Sequence, residues 1–162
     1  MKIRDLTTGG ALVALTMLIF YAITVVPTNT LTLLTISSFM PILAYLRTTL
    51  KTAILVYICN SILGFILFTP ILGISYLIFF GAYGIIKAFI EAIDNIVLEN
   101  ILKLIYFIGA LVGLNFMVSI RTIIPMFDIM PSMIFPLVAV VAFFVYDFAL
   151  SLLIEGYYKY KP

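Results

Sequence analysis

LTTGGALVALTMLIFYAITVVPTNTLTLLTISSFMPILAYL, residues 6–46, contains no charged side chain. A helix that crosses a bilayer needs roughly 20 predominantly apolar residues. This stretch is long enough for two such helices, and Pro27-Thr28-Asn29 supplies the turn between them. A second charge-free run lies between Lys51 and Lys87. The whole chain follows suit: 65% of residues are hydrophobic, 10% are charged, and the mean hydropathy is +1.29. A water-soluble domain of 162 residues does not have that composition. Hydrocarbon is therefore part of the solvent, and function is to be sought among the rare polar groups inside it.

Along the whole chain, six segments have the length and apolarity of spanning helices: about 8–26, 30–46, 52–68, 72–90, 104–124 and 132–154. The expected fold is an all-α polytopic membrane bundle, a single transmembrane domain over residues 1–162. The stretch from Glu91 to Lys103 mixes Glu91, Asp94, Glu99 and Lys103 with apolar residues, and reads as a wet connector, a helix lying at the interface. Lys2 and Arg4 precede an apolar run, but no small-residue cleavage site closes it, so a spanning helix is expected there rather than a cleaved signal.

The positive residues orient the spans. With the N-terminus inside, the inner segments carry Lys2, Arg4, Arg47, Lys51, Lys87, Lys103, Lys159 and Lys161, and the outer ones only Arg121. That asymmetry predicts both termini in the cytoplasm. Tyr157, Tyr158 and Tyr160 suit an inner aromatic belt. The net charge of +2 argues against nucleic acid as a partner. The chain has no histidine and one cysteine, Cys59. Zinc, haem and Cys–His catalysis are disfavoured, no metal or cofactor is expected, and Cys59 reads as ordinary packing. No nucleophile elbow, paired-aspartate motif or phosphate-binding loop is present, so the chain reads as neither an enzyme nor an ATPase.

Asp147 and Lys87 are the sharpest anomalies, since both fall at similar depth within apolar helices. A lone charge there costs about 2.5–3.5 kcal/mol even on insertion scales, which predicts a buried ion pair between them. The pair could hold two helices or relay protons; Lys87 could also snorkel to the inner interface. Tyr76, Phe80, Tyr83 and Lys87 fall on one face of the fourth span, Tyr57, Asn60, Ser61 and Gly64 on one face of the third, and Asn115, Ser119 and Thr122 on one face of the fifth. Such stripes line an interior for a small polar or aromatic ligand. Alternatively, they glue helices by hydrogen bonds. The outward members of the set are Asn29, Tyr76, Tyr83, Asn115, Arg121 and Asp128, with Thr28 beside them. Gly10 with Ala14, and Thr7 with Ala11, form small-xxx-small rows on the first span, and Gly109 with Gly113 forms another on the fifth. The fifth span is expected to pack inside the bundle, whereas the rows on the first could serve a partner subunit.

Taken together, this pattern resembles the substrate-binding S components of energy-coupling factor (ECF) vitamin transporters. The opening Arg4-Asp5-Leu6-Thr7-Thr8-Gly9-Gly10-Ala11-Leu12-Val13-Ala14-Leu15-Thr16 is similar to the family's first helix, whose Ala-xxx-Ala motif docks on a transmembrane T subunit. The resemblance implies a small micronutrient bound from outside, in the outer half of the bundle. It places Gly10, Ala11 and Ala14 at the partner contact and Asn29, Tyr76, Tyr83, Asn115, Arg121 and Asp128 at the substrate. It further implies a T subunit, two cytoplasmic ATPase subunits and a prokaryotic plasma membrane with its lipid. The first outer loop is shorter than is common in that family. Two other classes suit the same composition: a structural membrane protein of the MreD cell-shape type, whose interior would be dry, and a self-standing proton-coupled carrier using Asp147 and Lys87.

Overall fold

A computed structural model describes residues 2–90, 93, 95–117 and 134–159. Every regular element among them is helical, and six helices are long and apolar enough to cross a membrane. The helices are α1 (Ile3–Val25), α2 (Thr30–Arg47), α3 (Leu50–Leu67), α4 (Pro70–Ser75), α5 (Gly81–Ile90), α6 (Ile96–Met117) and α7 (Ile134–Lys159). A π-helical turn, Tyr76–Phe80, joins α4 to α5 into one rod, the fourth span. The chain divides into two compact units, Met1–Val118 and Ser119–Pro162.

Local chemistry sets the helix boundaries. At the start of α1, Asp5 accepts a hydrogen bond from the Lys2 backbone amide at 2.9 Å. Pro27 opens the short 3-10 turn Pro27–Asn29 that leads into α2. Thr49 and Thr69 cap α3 and α4, each hydroxyl accepting from the amide three residues on. Pro70 follows Thr69 at the first helical position, where a missing amide hydrogen costs nothing. Asn95 caps α6, its side-chain oxygen accepting from the amides of Val97 and Leu98.

That last cap corrects the reading of Glu91 to Lys103 as an interfacial connector. From Ile96 onward the chain is already the fifth spanning helix, so Glu99 and Lys103 lie in its opening turns. They pair at 2.6 Å across one turn, and Lys103 is buried. An ion pair inside one helix makes polar residues at its start compatible with an unbroken span.

In the first unit, α1, α2 and α3 pack on one another around Leu12, Met40, Ala44, Ala53 and Val56. The rod lies against α2 and α3, and α6 packs mainly on the rod. The fourth span is the most enclosed: 56% of it is buried, against 22–39% for the other spans. Two glycines explain the close fit. A Cβ on Gly73 would stand 2.5 Å from the Phe65 backbone nitrogen in α3, and one on Gly84 would stand 2.5 Å from Ile42 in α2. Large apolar side chains such as Leu18, Tyr21, Ile66 and Phe89 point outward, as lipid-facing residues do. Cys59 is among the exposed residues, not in the packing where its apolar surroundings placed it. Gly109 is likewise exposed, with no described atom near its Cβ position, and Gly113 makes only an ordinary contact with Ile78. The glycine pair of α6 is therefore not the tight internal contact its spacing predicts.

The second unit is described by α7. Phe143, Tyr146, Asp147 and Leu150 form one buried stripe at helical spacing, while Val141, Val145, Phe148 and Leu152 are exposed.

Candidate binding site

Four polar residues meet in the apolar interior of the first unit, one from each of four segments: Thr16 of α1, Ser37 of α2, Asn60 of α3 and Tyr76 of the π turn. All four are fully buried. The Asn60 amide nitrogen donates to the Thr16 hydroxyl at 3.0 Å and to the Tyr76 hydroxyl at 3.2 Å. Thr16 in turn donates to the Leu12 carbonyl at 2.9 Å, and Tyr76 to the Ser37 carbonyl at 3.5 Å.

The last of these bonds has a cause in the sequence. Pro41 lies inside α2 and has no amide hydrogen, so the carbonyl four residues earlier, that of Ser37, lacks its helical partner. In lipid such a group must be satisfied from a neighbour. Tyr76 reaches across from the rod to do so. Both hydroxyls thus spend their hydrogens on carbonyls and can only accept from Asn60. This fixes the orientation of the amide, with nitrogen toward the hydroxyls. The Asn60 side-chain oxygen is left buried with no donor among the described residues.

Aromatic rings flank the cluster. Phe20 stands edge-on to Tyr76 at 5.3 Å and to Phe68 at 5.9 Å. A Cβ on Gly64, one turn beyond Asn60, would meet the Phe20 ring edge at 2.8 Å.

A second polar arrangement lies along the π turn. Its wider i to i+5 pattern is seen where the Gly81 amide bonds to the Tyr76 carbonyl. Two tyrosines from flanking helices donate to the carbonyls of this turn. Tyr57 of α3 reaches Leu77 at 2.8 Å, and Tyr106 of α6 reaches Ile78 at 2.7 Å and Phe79 at 3.3 Å. Gly81 admits the rings, since a Cβ there would stand 2.6 Å from Tyr76 and 2.7 Å from Tyr57.

The π turn also splits the stripe expected on one face of the fourth span. Tyr76, Phe80, Tyr83 and Lys87 are all buried, but an inserted residue turns the flanks relative to each other. Tyr76 accordingly faces α1, α2 and α3, whereas Tyr83 stacks on Tyr106 of α6 at 5.4 Å.

Of the other residues singled out in the sequence, Asn29 is exposed in the first turn. Asn115 belongs to α6, but its side chain lies outside the described residues, as do Arg121, Asp128, Ser119 and Thr122. Lys87 is fully buried in the first unit and Asp147 is buried in the second. Gly10, Ala11, Ala14 and Thr7 are all exposed on α1, while Gly9, Leu12, Thr16, Phe20 and Ile23 form its buried face. On α3, Asn60, Ser61 and Gly64 are buried and Tyr57 is half-buried; Ser61 is satisfied within its own helix by the Tyr57 carbonyl. Sequence reasoning missed Thr16, Ser37 and Tyr106. The signal for Ser37 was Pro41, which marks a freed carbonyl four residues upstream.

No family model, curated protein or solved structure matches the chain.

Proposed function

We propose that the protein is the membrane-embedded substrate-binding subunit of an ECF-type transporter, capturing a small micronutrient-like molecule from outside. The observation that carries this reading is the Thr16–Ser37–Asn60–Tyr76 cluster, a polar centre enclosed by four segments and bordered by aromatic rings. With both termini cytoplasmic, as the Lys and Arg asymmetry favours, Thr16 and Asn60 fall past the midpoints of outward-running helices. Ser37 and Tyr76 fall before the midpoints of inward-running ones. The cluster then lies in the outer half of the membrane, where the substrate arrives. Asn29, exposed in the turn between α1 and α2, then stands on the outer side of the cluster.

The exposed small residues of α1 support the transporter half of the proposal. Gly10, Ala11 and Ala14 let the backbone of a T subunit approach closely, and two ATPase subunits would complete the assembly on the cytoplasmic side of the plasma membrane. No described atom lies within 4 Å of a Cβ on Gly10, and Ala14 is exposed, so larger side chains there leave the chain's own packing intact. Gly10→Leu and Ala14→Leu are expected to abolish uptake by the assembled transporter while binding to the isolated protein persists. Full uptake by both variants would remove this face as the docking site.

Native mass spectrometry of the purified protein tests the reading directly. A co-purified small molecule is expected. A protein that carries none, and binds none from a nutrient extract, would favour the structural cell-shape role instead.

A further inference from the structure

Within that binding-subunit reading, we infer that the side-chain carbonyl of Asn60 is a recognition point for an uncharged N–H or O–H group on a small organic solute. The hydrogen-bond census of the cluster leads there. Five hydrogens are available: two on the Asn60 amide and one each on the Thr16, Ser37 and Tyr76 hydroxyls. All five are placed on acceptors. One acceptor, the Asn60 oxygen, remains, and no described residue donates to it. A buried acceptor left bare is destabilising, and the low dielectric makes any donor brought to it correspondingly favourable. The amide is planar, so this oxygen points away from the two hydroxyls that its nitrogen holds.

The same census limits the charge of that molecule. An anion would meet the negative end of a carbonyl dipole. A cation would lack a counter-charge among Thr16, Ser37, Asn60 and Tyr76, which are all neutral, in a setting where bare charge is costly. An uncharged donor remains. Aromatic edges from Phe20, Tyr76 and Phe68 border the cluster and suit a flat ring.

Matched probes that differ only in the donor test this on the full chain in detergent: 2-pyridone against N-methyl-2-pyridone, indole against N-methylindole, and benzyl alcohol against benzyl methyl ether. Binding is read from the rise in unfolding midpoint with probe concentration. In at least one pair the N–H or O–H member is expected to bind about tenfold more tightly than its methylated twin, the worth of one buried hydrogen bond. Asn60→Leu is expected to make the two members equal. That variant strands no donor, since Thr16 and Tyr76 keep the bonds they give to Leu12 and Ser37. The wild-type comparison needs no variant at all. Equal twins in all three pairs would overturn the inference, as would a donor preference that survives in Asn60→Leu. A structure with the N–H probe added that shows water alone on the Asn60 oxygen would also overturn it. A wild-type protein that retains a co-purified molecule yet shows equal twins keeps the binding-subunit reading and loses only the assignment to Asn60. One that retains nothing and ignores every pair loses both.

Discussion

Tyr76 and Pro41 are linked across two spans through the Ser37 carbonyl. Proline withdraws a hydrogen from the Ser37 carbonyl, and tyrosine supplies one. Tyr76→Phe should therefore strand both that carbonyl and one Asn60 hydrogen, at a cost of about 1–3 kcal/mol in stability. Pro41→Ala restores a helical donor, so the double variant should recover part of the loss. A thermodynamic cycle on detergent-solubilised protein measures the coupling, and strictly additive effects would disprove it. Glycines divide in the same residue-by-residue way. Gly73→Ala pushes a methyl group into the Phe65 backbone, which cannot swing aside, and should cost about 1–3 kcal/mol. Gly109→Ala meets no described atom and should hold or raise stability by up to about 1 kcal/mol, from the poor helix propensity of glycine. Thermal unfolding of the two variants side by side is the check. The sequence made Asn60 visible as a polar residue in an apolar run. It could not make its partners visible, because these are chosen by where three other helices fall.

At the scale of elements, spanning helices were legible because length and apolarity are local properties. The π turn was not. A 3.6-residue period tells which residues share a face but not where one extra residue is inserted, and here the insertion separates Tyr76 from Tyr83. The hint was Gly81, a glycine within an apolar span, beside two tyrosines it makes room for. The turn depends on donors from outside its own helix. Tyr57→Phe and Tyr106→Phe each remove such a donor, and each should lower stability by about 1 kcal/mol or more. Hydrogen exchange at the amides that follow the turn should quicken in both variants relative to wild type. Unchanged exchange and unchanged unfolding would show that the π turn holds without its tyrosines. The start of α6 was misjudged for a comparable reason. Charged residues read as a wet segment when counted along the chain, but Glu99 and Lys103 neutralise each other one turn apart.

At the scale of the molecule, the distribution of Lys and Arg makes a topology prediction that stands apart from any reading of function. Thiol labelling from outside should reach a cysteine placed at Asn29 or Asp128 and should not reach one at Thr49 or Tyr160. The work needs a Cys59→Ala background, because the natural thiol is exposed on α3. Protection at Asp128 together with labelling at Thr49 would reverse the orientation. Six helices long and apolar enough to span could be read from hydropathy alone, whereas the fifth begins at Ile96 and not near residue 104. The candidate site could be read only in part, since Tyr76 was marked by its stripe while Thr16 and the Ser37 carbonyl lie on helices that sequence periodicity treats separately.

The two glycine contacts of the rod have a consequence for biosynthesis. α1, α2 and α3 pack on one another directly, but the fourth span rests on α3 at Gly73 and on α2 at Gly84, and α6 rests mainly on the fourth span. Each newly made helix of the first unit thus settles on a surface that earlier ones have already built. A ribosome halted after α3 would release a chain whose Ser37 carbonyl and second Asn60 hydrogen face lipid without Tyr76. An unfinished chain of this kind is chemically marked as unfinished, and a membrane quality-control protease would have a polar flaw to recognise.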